Sequence, residues 1–288
     1  MSKEYVAGIS VGNRQFQIGV FEIRDQKRIL LHSEIHDRND ASPFWFLDRI
    51  DRSSKIFKHV SKISVALDSS TVIVHSFPID TSLTQKEQQE HVHWEFSNII
   101  VDYQPQQYVA DIHVLKTHVR EQTVEVLAVA VQRQHIVDMQ KLITDRGLKV
   151  GLIDTGYFAS EYSLLANYSE IKTKCVALAV MNNDRVEIGW YVNGRLNCFT
   201  SIGSPHPEVM IQRIQNKRNE FSVSEIFYCG PVNIIESLRL KLKESGIPMT
   251  VVDPMRRLVR KSMWRTSRPK GGSDYMLAAC AGIALQSR

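Results

Sequence analysis

A β-hairpin motif occurs twice in this chain of 288 residues, and the repeat limits what the chain can fold into. In the first copy, apolar residues run up to Val11, a polar turn follows at Gly12 to Gln15, and a second alternating run reaches Ile23. An apolar run, a short polar turn and an alternating run in succession are a hairpin signature. In the second copy, residues 175–181 are apolar and Asn182-Asn183-Asp184 is the turn. Residues 186–192 then alternate, and Asn193-Gly194 leads into a further strand at 196–202. Two meanders of one shape in opposite halves predict two similar lobes.

The remaining elements fit around these copies. Residues 28–35 read as a third strand across the turn Asp25-Gln26-Lys27. Ser42-Pro43 suits an N-cap and first helical position, with Phe44, Leu47, Ile50 and Phe57 marking the buried face. Residues 63–67 and 72–77 are short β-branched strands of the first lobe, separated by Asp68-Ser69-Ser70, and Pro78 ends that run. Thr84 and Glu87 form a capping box for a helix that carries Val92, Phe96 and Ile99 on one face. Residues 109–117 and 123–131 pair as antiparallel strands, and the helix 136–146 is closed by Gly147. A strand at 150–154 and an apolar helix at 157–168 follow. The division predicted is a first lobe at 1–173, with a small α+β insert at about 78–149, and a second lobe at 174–288. Within the second lobe, helices at 208–217 and 234–245, strands at 225–229 and 249–252, and a small-residue helix at 275–285 are expected.

A net charge of +5 permits contact with acidic lipid or nucleic acid without arguing for it. The cations concentrate at Arg256, Arg257, Arg260, Lys261, Arg265, Arg268 and Lys270, around Trp264. That segment suits anionic lipid or an acidic partner, and with no accompanying nucleic-acid motif, nucleic-acid binding is not expected. Cys175, Cys198, Cys229 and Cys280 lack CxxC spacing and read mostly as buried thiols of a reducing compartment. The N-terminus leads straight into a strand, with no secretory leader, and no apolar run approaches a membrane span. A cytoplasmic protein is expected.

Motifs for nucleophilic, P-loop or zinc chemistry are missing. His91 and His93, two apart on a helix, point to different sides, so no metal site is expected. Asp68 and Asp154 stand at strand ends and read as turn and helix caps. Two hairpin turns facing each other could aim backbone N–H groups at a phosphate. That chemistry would need an acid at the end of each first strand to hold Mg²⁺ through water. The first turn has Ser10 and Gly12 but no acid, and the second has Val180, Asn182 and Asn183 with Asp184 beyond the strand.

In the order of its elements the chain resembles the actin-like ATPase superfamily, and within it the type IV pilus assembly protein PilM; it is also similar to the cytoplasmic part of the type II secretion protein GspL. The likeness runs from Val6 to Leu285. It is carried by GISVGNRQFQIGVFEI, the QKEQQEHVHWEFSNII helix, VEVLAVAVQRQHIVDMQKLITDRGLKVGLIDTGYFA, IFYCGPVNIIESLRLKL and YMLAACAGIAL. It implies an α/β, actin-like (ribonuclease H-like) duplicated fold of two lobes with the small inserted subdomain. The family's first hairpin usually carries Asp-Ile-Gly-Ser, where this chain has Ser10 in place of the acid and keeps Gly12. Its second carries Asp-Ile-Gly and a downstream Thr, positions that fall here at Val180, Asn182 and Val186. Its adenosine turn is Gly-Gly-Gly, where this chain has Gly230-Pro231-Val232, and Asp154 stands at the family's acidic connecting residue.

The resemblance therefore implies a degenerate nucleotide cleft at Ser10, Gly12, Asn13, Asn182, Asp154 and Gly230. No catalytic residue or metal ligand is assigned, and binding of ATP and Mg²⁺ is expected to be weak or absent. The alternative is an active actin-like ATPase with variant phosphate loops. The expected role is a scaffold of a type IV pilus or type II secretion platform, at the cytoplasmic face of the inner membrane. Its partner would be a PilN-like bitopic protein whose N-terminal tail docks between the first lobe and the insert. Helix 85–100 and strand 109–115 are the candidate surfaces, with Trp94, Ile99, Tyr103 and Val109 as anchors. The basic segment would face lipid or the assembly ATPase motor.

Overall fold

The computed structural model describes residues 3–12, 14–24, 27–37, 44, 46–47, 50, 57–182, 184–203, 207–230, 246, 248–257, 259–260 and 277–286. Two of its sheets share one topology. In the first, β1 (Glu4–Val11) pairs antiparallel with β2 (Gln15–Arg24) and parallel with β4 (Lys62–Leu67). Strand β3 (Lys27–Asp37) extends it beside β2, and β8 (Lys149–Thr155) closes the other edge. In the second, β9 (Cys175–Met181) pairs antiparallel with β10 (Arg185–Val192) and parallel with β12 (Glu225–Cys229). Strands β11 (Arg195–Gly203) and β13 (Met249–Val251) are its edges. The orders β3-β2-β1-β4-β8 and β11-β10-β9-β12-β13 match position by position. The hairpin repeat of the sequence is thus the visible part of a duplicated five-strand plan.

A third sheet of three strands, in the order β5-β7-β6, stands apart from both. It is formed by β5 (Val72–Asp80), β6 (Tyr108–His118) and β7 (Thr123–Gln132). Residues 63–67 and 72–77 therefore enter different sheets, although the sequence reads both as first-lobe strands. Between them Asp68 caps a 3₁₀ turn, Ser69–Thr71, by accepting from the Ser70 N–H at 2.7 Å, and the turn redirects the chain. Pro78 does not end β5 but sits inside it opposite Glu125. An edge strand tolerates the missing N–H donor.

The faces of the small sheet follow the period of two. Val126, Ala128 and Ala130 of β7 pack with Val92 and Phe96 of α1 (Gln85–Ile99). Leu127, Val129 and Val131 face the opposite way, toward the cores of the other sheets. The Thr84–Glu87 capping box starts α1 as expected. Ile99 does not share the buried face of Val92 and Phe96; it is 47% exposed, three residues past Phe96 in the last turn.

Helix α2 (Arg133–Asp145) packs beside β7 and β8, and α3 (Gly156–Asn167), capped by Thr155, follows directly on β8. Helix α4 (Pro207–Phe221) lies by β10. The closing helix α5 (Ala278–Gln286) is buried from Ala278 to Leu285, between α3 and strands β1, β2 and β4. Its small residues allow backbone-close packing: a Cβ on Gly282 would collide with the Ala159 carbonyl, and one on Gly8 with the Cys280 carbonyl. Strand β14 (Val259–Arg260) joins the first sheet beside β3. Both β14 and α5 fall in the sequence range expected for the second lobe, yet they lie on the first sheet.

Phe46, Leu47, Ile50 and Phe57 are buried in the first core, while most of the expected helix at 42–57 lies outside the described residues. The expected helix at 234–245 and most of the basic segment also lie outside them. Arg256 and Arg257 are tied to the protein's own surface. The Arg256 guanidinium donates to Glu170 at 2.7 Å and stacks over the Tyr168 ring, and Arg257 donates to the Ser169 hydroxyl at 2.7 Å. All four cysteines are free; Cys229 and Cys280 are buried, whereas Cys175 and Cys198 are only half-buried. Among the described residues no helix is long and apolar enough to cross a membrane.

Candidate functional site

The two hairpin turns end in the same backbone geometry. The Gly12 N–H donates to the Gln15 carbonyl and the Asn182 N–H to the Arg185 carbonyl, each at 2.8 Å. Between the turns lies the Asp68–Thr71 turn at the end of β4. The Asn182 side-chain amide donates to the Ser69 hydroxyl at 2.9 Å, and the Arg185 guanidinium donates to the Ser69 carbonyl at 2.9 Å. The second hairpin is thereby bonded directly to the first sheet's β4 turn. On the other side of that turn, Asp68 Oδ2 stands 3.6 Å from where a Gly12 Cβ would be.

Glu187 lies beneath this contact on β10. It is 2% exposed, and its Oε2 has no hydrogen-bond partner among the described residues. Burial pushes its carboxyl up to about 7; Arg185 opposes the shift, and the charges of Asp68 and Asp184 reinforce it. Sequence reading missed Ser69, Arg185 and Glu187. The available signal was Glu187 itself, an acid in a strand otherwise buried on both faces.

Of the residues expected at the cleft, Ser10, Gly12 and Asn182 belong to the two hairpins. Gly230 directly follows β12 at φ +135, where a Cβ would strike the Met181 carbonyl. Asn13 lies outside the described residues. Asp154 stands opposite Ala66 of β4, two residues before Asp68, and it also lines a groove between the first sheet and the small sheet.

That groove has a volume of about 610 Å³. Edge strand β8 contributes every residue from Val150 to Thr155, and edge strand β6 contributes Val109, Asp111, Ile112 and His113. Val129 and Val131 of β7, Ile136 of α2, and Phe158, Glu161 and Leu165 of α3 add to the walls. A strand edge carries backbone donors and acceptors that another extended chain can pair with. Two such edges on one apolar-walled groove are the chemistry with which an extended peptide can pair.

Three carboxylates reach this groove. Asp111 is exposed on β6, Asp154 is half-buried on β8, and Glu161 on α3 is 9% exposed. Burial raises the Asp154 carboxyl, against the Thr155 N–H that it accepts at 2.7 Å. Burial pushes Glu161 up to about 7, opposed by a hydrogen bond from the Tyr191 hydroxyl. Burial also lowers His113, opposed by Asp111.

Among the expected anchors, Val109 lines the groove. Trp94, Ile99 and Tyr103 are on the α1 side of the small sheet, away from it. Trp94 is 57% exposed and stacks on His91. Tyr103 is half-buried, receives a contact from His93 Nδ1 at 2.6 Å and stacks on Tyr108. His91 meets Glu95, four residues on, at 3.6 Å, and Glu95 also meets His75 at 3.5 Å. Among the described residues no group of three or more potential ligands could hold a metal ion.

Duplicated sheets with paired hairpin turns on either side of a cleft define a protein of the actin-like ATPase fold. The sequence profile of the family described as type IV pilus assembly protein PilM matches residues 9–200, and the chain belongs to that family. Its structure is similar to that of a PilM–PilN type IV pilus biogenesis complex at a TM-score of 0.76, with 15% identity over 98% of both chains. It is also similar to the cytoplasmic domain of EpsL, an inner membrane component of the type II secretion system of Vibrio cholerae. There the TM-score is 0.55, with 10% identity over 100% of this chain and 96% of that one. A Bacteroides thetaiotaomicron protein with an actin-like ATPase fold and unknown function matches at a TM-score of 0.57, with 13% identity over 87% and 91%. Identities this low show the fold alone. No curated protein matches the sequence.

Proposed function

We propose that this chain is a non-catalytic scaffold of a type IV pilus assembly platform. It holds the N-terminal tail of a PilN-like inner-membrane protein in the groove between β8 and β6, and so sits at the cytoplasmic face of that membrane. The observation that carries the reading is the pair of edge strands facing one groove with a largely apolar wall. Main-chain pairing along an edge supplies affinity, and pockets for alternate side chains supply selectivity.

The nucleotide cleft is read as degenerate. Positions that would anchor Mg²⁺ through water carry Ser10 and Val180, and the second hairpin turn is bonded to Ser69 rather than left free for a phosphate. The residues do not fit a bound ATP–Mg²⁺, and phosphoryl transfer depends on positioning and charge neutralisation that these side chains do not provide.

Anisotropy of a labelled N-terminal tail peptide from the organism's own PilN-like protein tests the reading. Saturable binding is expected, lost in Val109→Trp and unchanged by Mg²⁺-ATP. Binding that requires Mg²⁺-ATP, or that survives Val109→Trp unaltered, would contradict it.

A further inference from the structure

The groove's charge is as one-sided as its walls are apolar. Asp111, Asp154 and Glu161 reach it from β6, β8 and α3, while among the described residues no lysine or arginine lines it, in a chain whose net charge is +5. The three acids feel one another across the cavity: the charge of Asp111 adds to the upward shift of Asp154, and that of Asp154 to the shift of Glu161. Their contacts are with neutral donors. Asp111 accepts from the Ile112 N–H at 2.8 Å, and Asp154 from the Thr155 N–H at 2.7 Å and the Gln286 amide at 3.5 Å. Glu161 is hydrogen-bonded by Tyr191. Among the described residues none of the three has a lysine or arginine partner, and His113, which lines the groove beside Asp111, is shifted by burial toward its neutral form.

We infer that the groove selects a tail that places one lysine or arginine side chain among Asp111, Asp154 and Glu161, with apolar side chains of the same segment against Val109, Val131 and Ile136. The inference rests on the groove being a tail receptor, and adds what the tail must carry. An acidic floor and an apolar wall in one cavity match an extended segment that mixes aliphatic and basic residues. Cytoplasmic flanks of membrane spans are rich in lysine and arginine, so the proposed occupant has the complementary charge. Charge-assisted hydrogen bonds to a cation would satisfy acceptor positions that the neutral donors leave open.

The test is selection of displayed ten-residue peptides with free N-termini on the full chain at pH 7.5. Counter-screens use Val109→Trp, to block the groove, and Asp111→Asn with and without Glu161→Gln. Asp111 is exposed, so Asp111→Asn leaves the fold intact and keeps the test decisive if Glu161→Gln fails to fold. Groove-dependent peptides should carry lysine or arginine at a fixed spacing from apolar residues. Asp111→Asn should weaken them about tenfold relative to matched peptides with glutamine in place of the basic residue. Groove-dependent peptides without basic enrichment, or with a basic preference unchanged by Asp111→Asn, would overturn the inference and leave the receptor reading standing. Recovery of no peptide that Val109→Trp excludes would overturn both.

Discussion

Arg185, just past the turn of the second hairpin, donates a hydrogen bond of 2.9 Å to the carbonyl of Ser69 in the β4 turn. Asn182 adds a second bond to the Ser69 hydroxyl at 2.9 Å. Each side chain reaches from the second sheet to the first across the space where the fold's hairpins face each other.

Because these bonds join the two halves, Arg185→Ala should reduce stability by about 1–2 kcal/mol. It should also speed amide hydrogen exchange at residues 69–72 without creating affinity for Mg²⁺-ATP. Urea midpoints, hydrogen exchange and a fluorescent ATP analogue check the three parts. Micromolar Mg²⁺-dependent binding by the parent chain would restore the reading of an active ATPase.

Two buried acids make stability fall as pH rises. Glu161 and Glu187 each have a folded pKa of about 7 against a reference of 4.5. The folded state therefore holds protons that the unfolded state releases between those values. Their stabilising, protonated form is fully present below about 4.5 and is lost through about 7. Glu161 faces Tyr191 from β10 and Asp154 from β8; Glu187 faces Arg185, Asp184 and, from the β4 turn, Asp68. Glutamine at either position should flatten the loss between pH 5 and 7.5 by up to about 3 kcal/mol. Denaturant titrations at the two pH values measure it.

The closing helix has no room for added volume. Gly282→Val would drive a branched side chain into the Ala159 backbone and should cost more than about 3 kcal/mol, enough to abolish soluble expression. Ala284→Ser, a smaller change in the same buried helix, should cost far less. Thermal melts of both variants separate the two effects.

Trp94 makes a sharp negative control. It is exposed on α1, on the face of the small sheet turned away from the groove. Trp94→Ala should leave tail affinity within about twofold, whereas Val109→Trp should lower it at least tenfold.

The sequence showed its duplication because each hairpin sets an apolar run and a second strand around a polar turn, and local patterning carries that information. It also showed the α1 capping box, whose Thr84 and Glu87 interact within one turn. The split between β4 and β5 was hidden, because Asp68-Ser69-Ser70 reads as the same turn whether the next strand rejoins the old sheet or starts a new one. Val109 was legible as a groove residue through the family resemblance. Trp94, Ile99 and Tyr103 were not separable from it, since which face of a sheet meets a helix is settled by tertiary packing. Asp154 was legible as a strand end, but the groove it lines is built from β6, α2 and α3, far away in sequence. Ser69 and Arg185 gave no sign, because their contact joins residues 116 apart.

The most direct measurement is amide hydrogen exchange across the whole chain, with and without the N-terminal tail peptide of the PilN-like protein, in the absence and presence of Mg²⁺-ATP. Added protection is expected at residues 109–113 of β6 and 150–154 of β8, equal in both conditions. Protection that falls instead on α1 at residues 85–99, or that appears only with Mg²⁺-ATP, would contradict a nucleotide-independent scaffold that holds its partner in the β6–β8 groove.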